Sequence, residues 1–375
     1  MLSHDLIASK ALLARTVIAW YRKEGRALPW RMTRNPYRIW VSEVMLQQTR
    51  VASVIPYYRR FLHAFPTMRR LAEADLQEVL KLWEGMGYYA RARNLHRSAE
   101  IIMSRYGGSV PDNTKDLLSL PGIGRSTAGA ILSLAYDKQA PVLDANIQRL
   151  LSRLGAVESD LGKSYGKHFL WDLMESLLPG KKTRVFNQAL MDMGALVCTP
   201  KTPHCRVCSL SSLCRAFKMG IQEQIPPSKK TPPRPVLERA VAVIWGKKGL
   251  LIHHRPSNGL LGSLWEFPGI YLNQEGSVFH LLSHMMEREC GLLIQLRGEI
   301  FSFFHEYTHF KERIRVFSGD CLQGRLLSQD FRWVQPEEIE RFPLPASHRR
   351  IAQTVIRTVD GRRTLSQAIS HEGGK

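Results

Sequence analysis

The chain has 375 residues, 44% of them hydrophobic, and 53 lysines and arginines against 33 aspartates and glutamates give it a formal net charge of +20. This length predicts two domains, each able to bury a core, and the lack of any run of about eighteen apolar residues argues against a membrane span. So large a positive excess favours a polyanionic partner, although a generally basic composition is the alternative.

The first half of the chain has the residue spacing of helices. Its start holds Asp5 and other polar residues between apolar ones, which predicts an amphipathic helix. Neither a secretory signal nor an acid-free transit peptide is expected there. Apolar residues then recur at helical intervals to about residue 217, with stops such as Gly85, Pro121 and Gly180. This half is predicted to be all-helical, and free thiols would suit a reducing cytoplasm.

Residues 117–131, LLSLPGIGRSTAGAI, predict a short helix, a glycine turn and a second helix that Ser126 and Thr127 can cap. Gly122 and Gly124 let the chain turn sharply with bare amides facing outward. Those amides and the positive end of the second helix can hold a phosphate without reading base sequence. An ordinary turn between helices is the alternative. A Walker loop is excluded because no Gly-Lys-Ser/Thr follows.

Four cysteines, Cys198, Cys205, Cys208 and Cys214, follow the helical half with gaps of six, two and five residues. Thiolates this close cannot all pair as disulfides without strain, and a lone CxxC does not make the two matched hooks of a zinc ribbon. The spacing favours a four-iron, four-sulfur cluster. Zinc and unligated structural cysteines remain open on spacing alone.

The second half begins after residues 224–238, which hold five prolines and form a semi-rigid linker. Short strand-like runs then mix with helical ones, which predicts an α+β domain. The predicted strands are Arg239–Trp245, Leu250–His254, Arg313–Leu322 and Phe331–Val334, and the predicted helices are Val278–Arg288 and Ser347–Val359. The last dozen residues are expected to fray.

In this order, the glycine hairpin, Asp144 beyond it and the four-cysteine loop resemble the helix-hairpin-helix DNA glycosylases. The closer resemblance is to the adenine DNA glycosylases of the MutY family. It rests on LPWR (28–31), SEVMLQQT (42–49), WEGMGYYARARNL (83–95), FNQALMDMGALVC (186–198) and the appended C-terminal domain. It implies a multidomain fold: an all-α helix-hairpin-helix glycosylase domain with an iron–sulfur loop and one 4Fe–4S cluster, plus an α+β Nudix-like domain.

Two carboxylates suit the cleavage of a base from its sugar, because an acid must protonate the departing base and an anion must face the developing sugar cation. Glu43 lies among apolar neighbours that would desolvate it and favour its protonated form. The alternative is that Glu43 lies on the solvent-exposed face of an amphipathic helix. Asp144 is the expected anion, and on local grounds a plain helix cap is its alternative.

The resemblance also assigns contacts with DNA. Leu28, Trp30 and Arg31 match positions that line the adenine pocket, and Gln188 matches a contact with the purine edge. Gln47, Gln48 and Tyr88 match positions that fill or probe the opened helix around the orphaned base. Arg91, beside Tyr88, is expected to contact phosphate, with a solvated basic face as its alternative, and Gly122, Gly124 and Ser126 belong to the hairpin. Endonuclease III-type enzymes carry a Schiff-base lysine at the place of Ser126, so a monofunctional glycosylase without lyase activity is predicted. Taken singly, buried aromatics and exposed glutamines are common features of any fold.

The C-terminal domain resembles a Nudix fold whose metal-binding carboxylates are missing. When Gly291 is taken as the closing glycine, His284, Met285 and Arg288 stand where acidic and basic motif residues are needed. The domain is therefore interpreted as a sensor of 8-oxoguanine, with Tyr307, Thr308 and His309 in the contacting loop. Strand-end residues without a ligand contact are the alternative.

The predicted function is a base excision repair glycosylase that removes adenine mispaired with 8-oxoguanine or guanine in duplex DNA. We expect a monomer in the cytoplasm, on the nucleoid. The predicted domains are 1–225 (glycosylase, with the iron–sulfur loop at 198–214), 226–238 (linker), 239–362 (Nudix-like) and 363–375 (tail). The alternatives are an endonuclease III-like enzyme for oxidised pyrimidines, a non-enzymatic damage-binding module and a Nudix-type pyrophosphatase.

Overall fold

The computed structural model describes residues 4–157, 164–227, 233–272 and 276–357. The chain forms two compact units, residues 1–73 with 94–231 and residues 74–93 with 232–375. The second unit thus includes a short segment from the first half of the sequence. The predicted tail at 363–375 and residues 228–232 of the predicted linker lie outside the described residues. Among the described helices, none has the length and apolarity to cross a bilayer.

The first unit is helical, as the apolar spacing predicted. Its helices are α1 (His4–Ala8), α2 (Lys10–Glu24), α3 (Pro36–Leu46), α4 (Val51–Ala64), α5 (Met68–Ala72), α7 (Ala90–Tyr106, which starts in the second unit), α8 (Thr114–Leu118), α9 (Arg125–Leu134), α10 (Ala145–Gly155), α11 (Ser164–Leu177), α12 (Thr183–Leu196) and α13 (Arg215–Lys218). Short 3₁₀ turns cover Pro29–Arg31, Cys205–Val207 and Ser211–Leu213. Helices α2, α10 and α12 share a core that includes Leu13, Val17, Leu151, Phe186 and Leu190, all fully buried.

The second unit is a mixed α+β domain. Its elements are α6 (Leu76–Trp83), β1 (Val236–Gly246), β2 (Gly249–His254), β3 (Trp265–Glu266), β4 (Gly269–Tyr271), α14 (Val278–Met285), β5 (Leu292–Glu306), β6 (Lys311–Gly324), β7 (Phe331–Val334), a 3₁₀ turn at Pro336–Arg341 and a last helix, α15, at 346–357. The strand order is β3-β2-β1-β6-β5, with β4 beside β1 and β7 beside β2. Only the β1–β6 pair, among the pairs described, is parallel.

Strand β1 is the centre of this sheet and is buried on both faces. Val241 and Val243 face one core together with α15, whereas Ala242 and Ile244 face a second core together with α14. A strand covered on both faces reads as a continuous apolar run, which is what AVAVI shows. The predicted strands around the Gly-Lys-Lys-Gly turn are confirmed, because β1 and β2 pair up to Gly246 and Gly249.

A buried ion cluster links the sheet to α15. Glu266 on β3 accepts hydrogen bonds from Arg239 at 2.9 Å and from Arg255 at 2.6 Å. His348 on α15 accepts a hydrogen bond from the Phe267 backbone through Nδ1 at 3.1 Å, and its Nε2 lies 3.5 Å from Glu266. Burial lowers the pKa of His348 to about 3, so this imidazole is neutral in the folded protein.

Strand β5 was absent from the sequence-based prediction, although it is among the longest strands described. Its fifteen residues, LLIQLRGEIFSFFHE, carry charges and three register shifts against β6. Bulges of this kind interrupt the strict alternation by which a half-buried strand is identified. The strand is therefore defined by its pairing with β6 and not by its own pattern.

Candidate active site

Glu43 lies near the end of helix α3, in the first unit. The helix begins at Pro36 because the Asn35 side chain accepts a hydrogen bond from Arg38 N and proline fits the first helical position. The neighbours Trp40, Val44 and Met45 are buried. Burial first, and then the negative charge of Asp144, raise the pKa of Glu43 to about 7, with Arg31 opposing them. A carboxyl with this pKa is available as a proton donor near neutral pH.

Asp144 caps helix α10, as the alternative based on its local sequence predicted. Its Oδ1 accepts a hydrogen bond from the Ile147 backbone at 2.7 Å, and its Oδ2 lies 3.5 Å from Asn146 Nδ2. Burial raises the pKa of Asp144, while these hydrogen bonds and the Arg149 charge oppose that rise. The cap fixes the carboxylate in one place and leaves Oδ2 more weakly engaged.

The glycine hairpin has the predicted form and is tied to the segment before Asp144. Gly122 has φ +78°, a conformation that disfavours other residues, and a Cβ there would lie 2.9 Å from the Asn94 Cβ. Gly124 is the N-cap of α9, and a Cβ there would meet no atom within 4 Å. Ser126 Oγ accepts a hydrogen bond from the Leu143 backbone at 3.3 Å.

Arg31, which was predicted to line the base pocket, and its neighbour Arg26 are held by an acidic side chain that sequence reasoning missed. Arg31 Nη2 and Arg26 Nε both donate to Asp192 Oδ1 at 2.8 Å. Burial raises the pKa of Asp192, but these hydrogen bonds outweigh it and the pKa is lowered. Asp192 lies within the FNQALMDMGALVC block, yet an acid on a helix carries no sign of its distant partners.

The other residues of the first unit that were predicted to contact DNA have diverse surroundings. Leu28 and Trp30 are buried, and the Trp30 ring packs edge-on against Tyr58 at 5.3 Å. Gln188 is buried and accepts a hydrogen bond from Tyr21 OH at 3.1 Å. Gln47 donates to Thr127 on α9 at 3.3 Å. Gln48 is exposed, in a left-handed conformation with φ +57°. Their contacts with DNA stay predictions.

Two arginines on α10 connect the Asp144 cap to the cysteine loop. Arg149 donates to the Cys198 carbonyl oxygen at 2.7 Å, to Gly194 O at 2.6 Å and to Asn146 Oδ1 at 2.9 Å. Arg153 donates to Cys198 Sγ at 3.3 Å and to Thr199 O at 2.7 Å. Sequence reasoning gave neither residue a role; their four-residue spacing, which places both on one helix face, was the available signal.

The four cysteines line one cavity together with Arg153, Leu150 and Leu210. Burial raises the pKa of Cys208 to about 11 and that of Cys205 and Cys214 as well. In the described part of the chain, no three His, Cys, Asp or Glu side chains are grouped so as to hold a single metal ion. Soft thiol donors around one cavity, with a cation beside Cys198, fit an iron–sulfur cluster.

In the second unit, Tyr88 and Thr308 lie together. Their hydroxyl oxygens are 2.8 Å apart in a hydrogen bond, and both side chains are exposed. Tyr307 packs instead into the unit: it stacks on Phe310 at 4.6 Å and meets Ser347 Oγ at 3.3 Å. His309 is exposed. Within the predicted sensor loop, Tyr307 therefore anchors the loop while Thr308 and His309 face outward.

Arg91, a predicted phosphate contact, is buried and does not lie on the solvated basic face that was its alternative. It is 8% exposed, and its guanidinium donates to Met86 O at 3.2 Å and Gly87 O at 3.1 Å. It also lies over the rings of Trp83 and Tyr88, 5.4 and 5.5 Å from their centroids. This placement braces the turn that carries Tyr88, and a contact of Arg91 with DNA stays a prediction.

A helical unit with a glycine hairpin, a desolvated glutamate, a capping aspartate and a four-cysteine loop has the architecture of a helix-hairpin-helix DNA glycosylase. Residues 41–176 match the HhH-GPD superfamily of base excision DNA repair proteins, and residues 240–354 match the NUDIX domain. A thermostable thymine-DNA glycosylase of known structure aligns with a TM-score of 0.51 and 33% identity, over 56% of this chain and 98% of that one.

Named relatives extend over both units. The chain is 34% identical to the adenine DNA glycosylase of Rattus norvegicus, over 92% of this chain and 78% of that protein. It is 37% identical to the adenine DNA glycosylase of Buchnera aphidicola subsp. Acyrthosiphon pisum, over 80% of this chain and 85% of that protein. The chain belongs to the adenine DNA glycosylase family. It is a base excision repair glycosylase that acts on DNA, and the predicted fold class is confirmed.

Proposed function

We propose that this enzyme removes adenine mispaired with 8-oxoguanine or guanine from duplex DNA and leaves the strand intact. The observation that carries the proposal is the coupling of Glu43 and Asp144, in which burial and the Asp144 charge raise the pKa of Glu43 to about 7. Burial raises the pKa of both carboxyls, but only the Asp144 carboxylate is opposed in that rise by hydrogen bonds from Ile147 and Asn146, so Glu43 is assigned as the acid and Asp144 as the anion. The named relatives support adenine as the base that is removed.

In the proposed reaction, the target nucleotide leaves the duplex stack and its base enters the pocket beside Glu43. Glu43 donates its proton to a ring nitrogen of the adenine as the bond between that base and the sugar breaks, and the bonding electron pair leaves with the base. The Asp144 carboxylate, held by the Ile147 amide, stabilises the sugar cation. Water then adds to the anomeric carbon, and its proton returns to the ionised Glu43.

Strand cleavage is not part of the proposed activity because position 126 holds serine. The Ser126 hydroxyl accepts a hydrogen bond from the Leu143 backbone, and a hydroxyl cannot form a Schiff base with the opened sugar. The proposed role of Ser126 is to hold the segment that leads into Asp144. Incubation with borohydride and abasic product should trap no covalent complex, whereas efficient trapping would indicate a lyase.

The four-cysteine loop is proposed to hold one 4Fe–4S cluster through Cys198, Cys205, Cys208 and Cys214. When bound, the cluster supplies iron–thiolate bonds that brace the loop between α12 and α13. The chain contributes Arg153, which donates a hydrogen bond to Cys198 Sγ at 3.3 Å. Broad visible absorbance and iron in elemental analysis would support this assignment, and stoichiometric zinc would refute it.

The second unit is proposed to read the base opposite the adenine. The paired hydroxyls of Tyr88 and Thr308 are exposed and can both donate and accept hydrogen bonds. An added oxygen and an added N–H distinguish 8-oxoguanine from guanine, and polar groups placed opposite them can discriminate between the two bases.

The test is a single-turnover excision assay with adenine opposite 8-oxoguanine, guanine and thymine. Wild-type protein should prefer the 8-oxoguanine duplex. Glu43→Gln should bind that duplex but excise more slowly by about a thousandfold, because the proton donor is lost. Glu100→Gln, an exposed glutamate on α7, is the matched control and should behave as wild type. Full activity of Glu43→Gln would refute the assignment.

A further inference from the structure

A strained turn carries Tyr88 in the second unit. It follows helix α6 and includes three left-handed residues, Gly85 at φ +92°, Gly87 at φ +70° and Tyr88 at φ +49°. Glycine adopts this conformation freely, but tyrosine does so at a cost of about 1 kcal/mol. The turn therefore needs outside contacts to keep Tyr88 in place.

Helix α6, which leads into this turn, is held at its first turn by the Nudix-like part of the unit. The Gln77 amide donates to Ser263 O at 3.0 Å and accepts from Trp265 Nε1 at 3.1 Å. Beyond the turn, Arg93 donates to Gly262 O at 2.7 Å. Both flanks of residues 85–89 are thus bonded to the loop that precedes β3.

The contact nearest the turn is an ion pair between Glu84, at the end of α6, and Arg349 on α15. Arg349 Nε donates to Glu84 Oε1 at 2.6 Å and Nη2 donates to Oε2 at 3.0 Å, with only 11% and 15% of the two side chains exposed. A bidentate pair with this shielding fixes direction as well as distance. Glu84 also accepts from Lys81 Nζ at 2.8 Å.

Arg349 is itself fixed within its own part of the unit. It donates to Ile339 O at 3.2 Å and to Phe342 O at 2.6 Å, and its Nη1 lies 3.3 Å from Glu340. The guanidinium therefore connects the 3₁₀ turn at Pro336–Arg341 and α15 to the residue just before the strained turn. A shift of this arginine would be transmitted to the backbone at Gly85.

We propose that Arg349 is a positioning residue for base discrimination: by clamping Glu84, it sets the turn that presents Tyr88 to Thr308. This inference rests on the proposed function, since the Tyr88–Thr308 pair is the group proposed to read the base opposite adenine. Arg349 does not touch DNA in this account. It acts through Glu84 and the turn, and its loss should affect discrimination more than the chemical step.

The first arm of the test measures discrimination in the full-length protein. In Arg349→Met, the ratio of single-turnover rates on adenine opposite 8-oxoguanine and opposite guanine should fall by about tenfold or more, because a misplacement of about 1 Å can cost about a hundredfold in rate. Arg349→Lys keeps the positive charge but cannot make the bidentate hydrogen bond, so its rate ratio should lie between those of wild type and Arg349→Met. Glu84→Gln removes the charge from the other partner and should lower the ratio in the same direction.

The second arm measures the turn directly by hydrogen exchange. Amides of residues 85–89 should lose protection in Arg349→Met while β1 amides keep theirs. Arg297→Met, which breaks the exposed pair with Asp320, is the matched control and should change neither quantity. A lower melting temperature with unchanged ratio and unchanged protection at 85–89 would reduce Arg349 to a structural contact and overturn the proposal.

The two arms separate this inference from the proposed function. Wild-type protein that fails to prefer 8-oxoguanine would refute the proposed function and, with it, the discrimination part of the inference. Protection at residues 85–89 does not depend on activity, so it reports the clamp in either case. A wild-type preference that survives in Arg349→Met and Glu84→Gln would overturn the inference alone.

Discussion

Arg149 donates through Nε to the carbonyl oxygen of Cys198 at 2.7 Å, and this bond joins the helix capped by Asp144 to the first residue of the cysteine loop. The same guanidinium reaches Asn146, which lies beside the Asp144 carboxylate. The geometry of the proposed anion therefore depends on a loop far along the sequence. The burial of Arg149 is tolerated because three hydrogen-bond acceptors surround its guanidinium.

Replacing Arg149 with methionine should impair both stability and excision. The substitution leaves the buried carbonyl oxygens of Cys198 and Gly194 without their hydrogen-bond donor and removes the hydrogen bond to Asn146. A loss of about 2–4 kcal/mol in the free energy of unfolding is therefore expected. Denaturant unfolding and single-turnover excision measure the two effects. Arg15→Met, at an exposed position on α2, is the control. Wild-type rates in Arg149→Met would show that the loop does not position Asp144.

Two substitutions at Asp144 should separate its role as a cap from its role as an anion. Asparagine caps helices about as well as aspartate, whereas alanine loses about 1 kcal/mol of stability. Both variants lack the negative charge and should excise adenine more slowly by about a hundredfold or more. Thermal unfolding together with single-turnover kinetics provides the comparison. An active Asp144→Asn would leave the residue as a helix cap only.

Stability of the second unit should decrease in mild acid because of His348. Its pKa is 6.5 ordinarily and about 3 in the folded protein, so its contribution is fully present above pH 6.5 and is lost as the pH falls toward 3. At pH 5.5 the loss should be on the order of 1 kcal/mol. The lowered pKa of Glu266 adds a second loss only below its ordinary value of 4.5.

Protection factors of β1 amides at pH 5.5 and pH 7.5 measure this effect. His348→Gln should remove the difference between the two pH values, and His280→Gln, at an exposed position on α14, should preserve it. An equal pH dependence in His348→Gln and wild type would contradict the assignment to this histidine.

Much of the architecture could be predicted from the sequence because local patterns carry it. Helical spacing, the Pro-Gly-Ile-Gly turn and the apolar run of β1 each report the element in which they lie, and these predictions are confirmed. Strand β5 is different, since its charges and bulges hide its alternation and its pairing partner β6 lies further along the chain. The place of residues 74–93 in the second unit has no local signature either.

The same distinction applies to the site. The apolar neighbours of Glu43 in the sequence predicted a desolvated carboxyl, and the raised pKa agrees with that expectation. The partners that fix other site residues are distant: Asp192 binds Arg31 across 161 positions, and Arg349 binds Glu84 across 265. A charged residue in a helical sequence indicates that it needs a partner or solvent, but it does not identify the partner.

The pH dependence of single-turnover excision tests the central claim, that Glu43 donates a proton to the departing adenine, most directly. On adenine opposite 8-oxoguanine, the wild-type rate should be constant below pH 7 and should fall as the pH rises through the Glu43 pKa of about 7. Above that pH it should decrease about tenfold per pH unit, because the acid form of Glu43 is depleted. A rate that stays constant from about pH 6 to pH 9, with binding unchanged, would contradict the account.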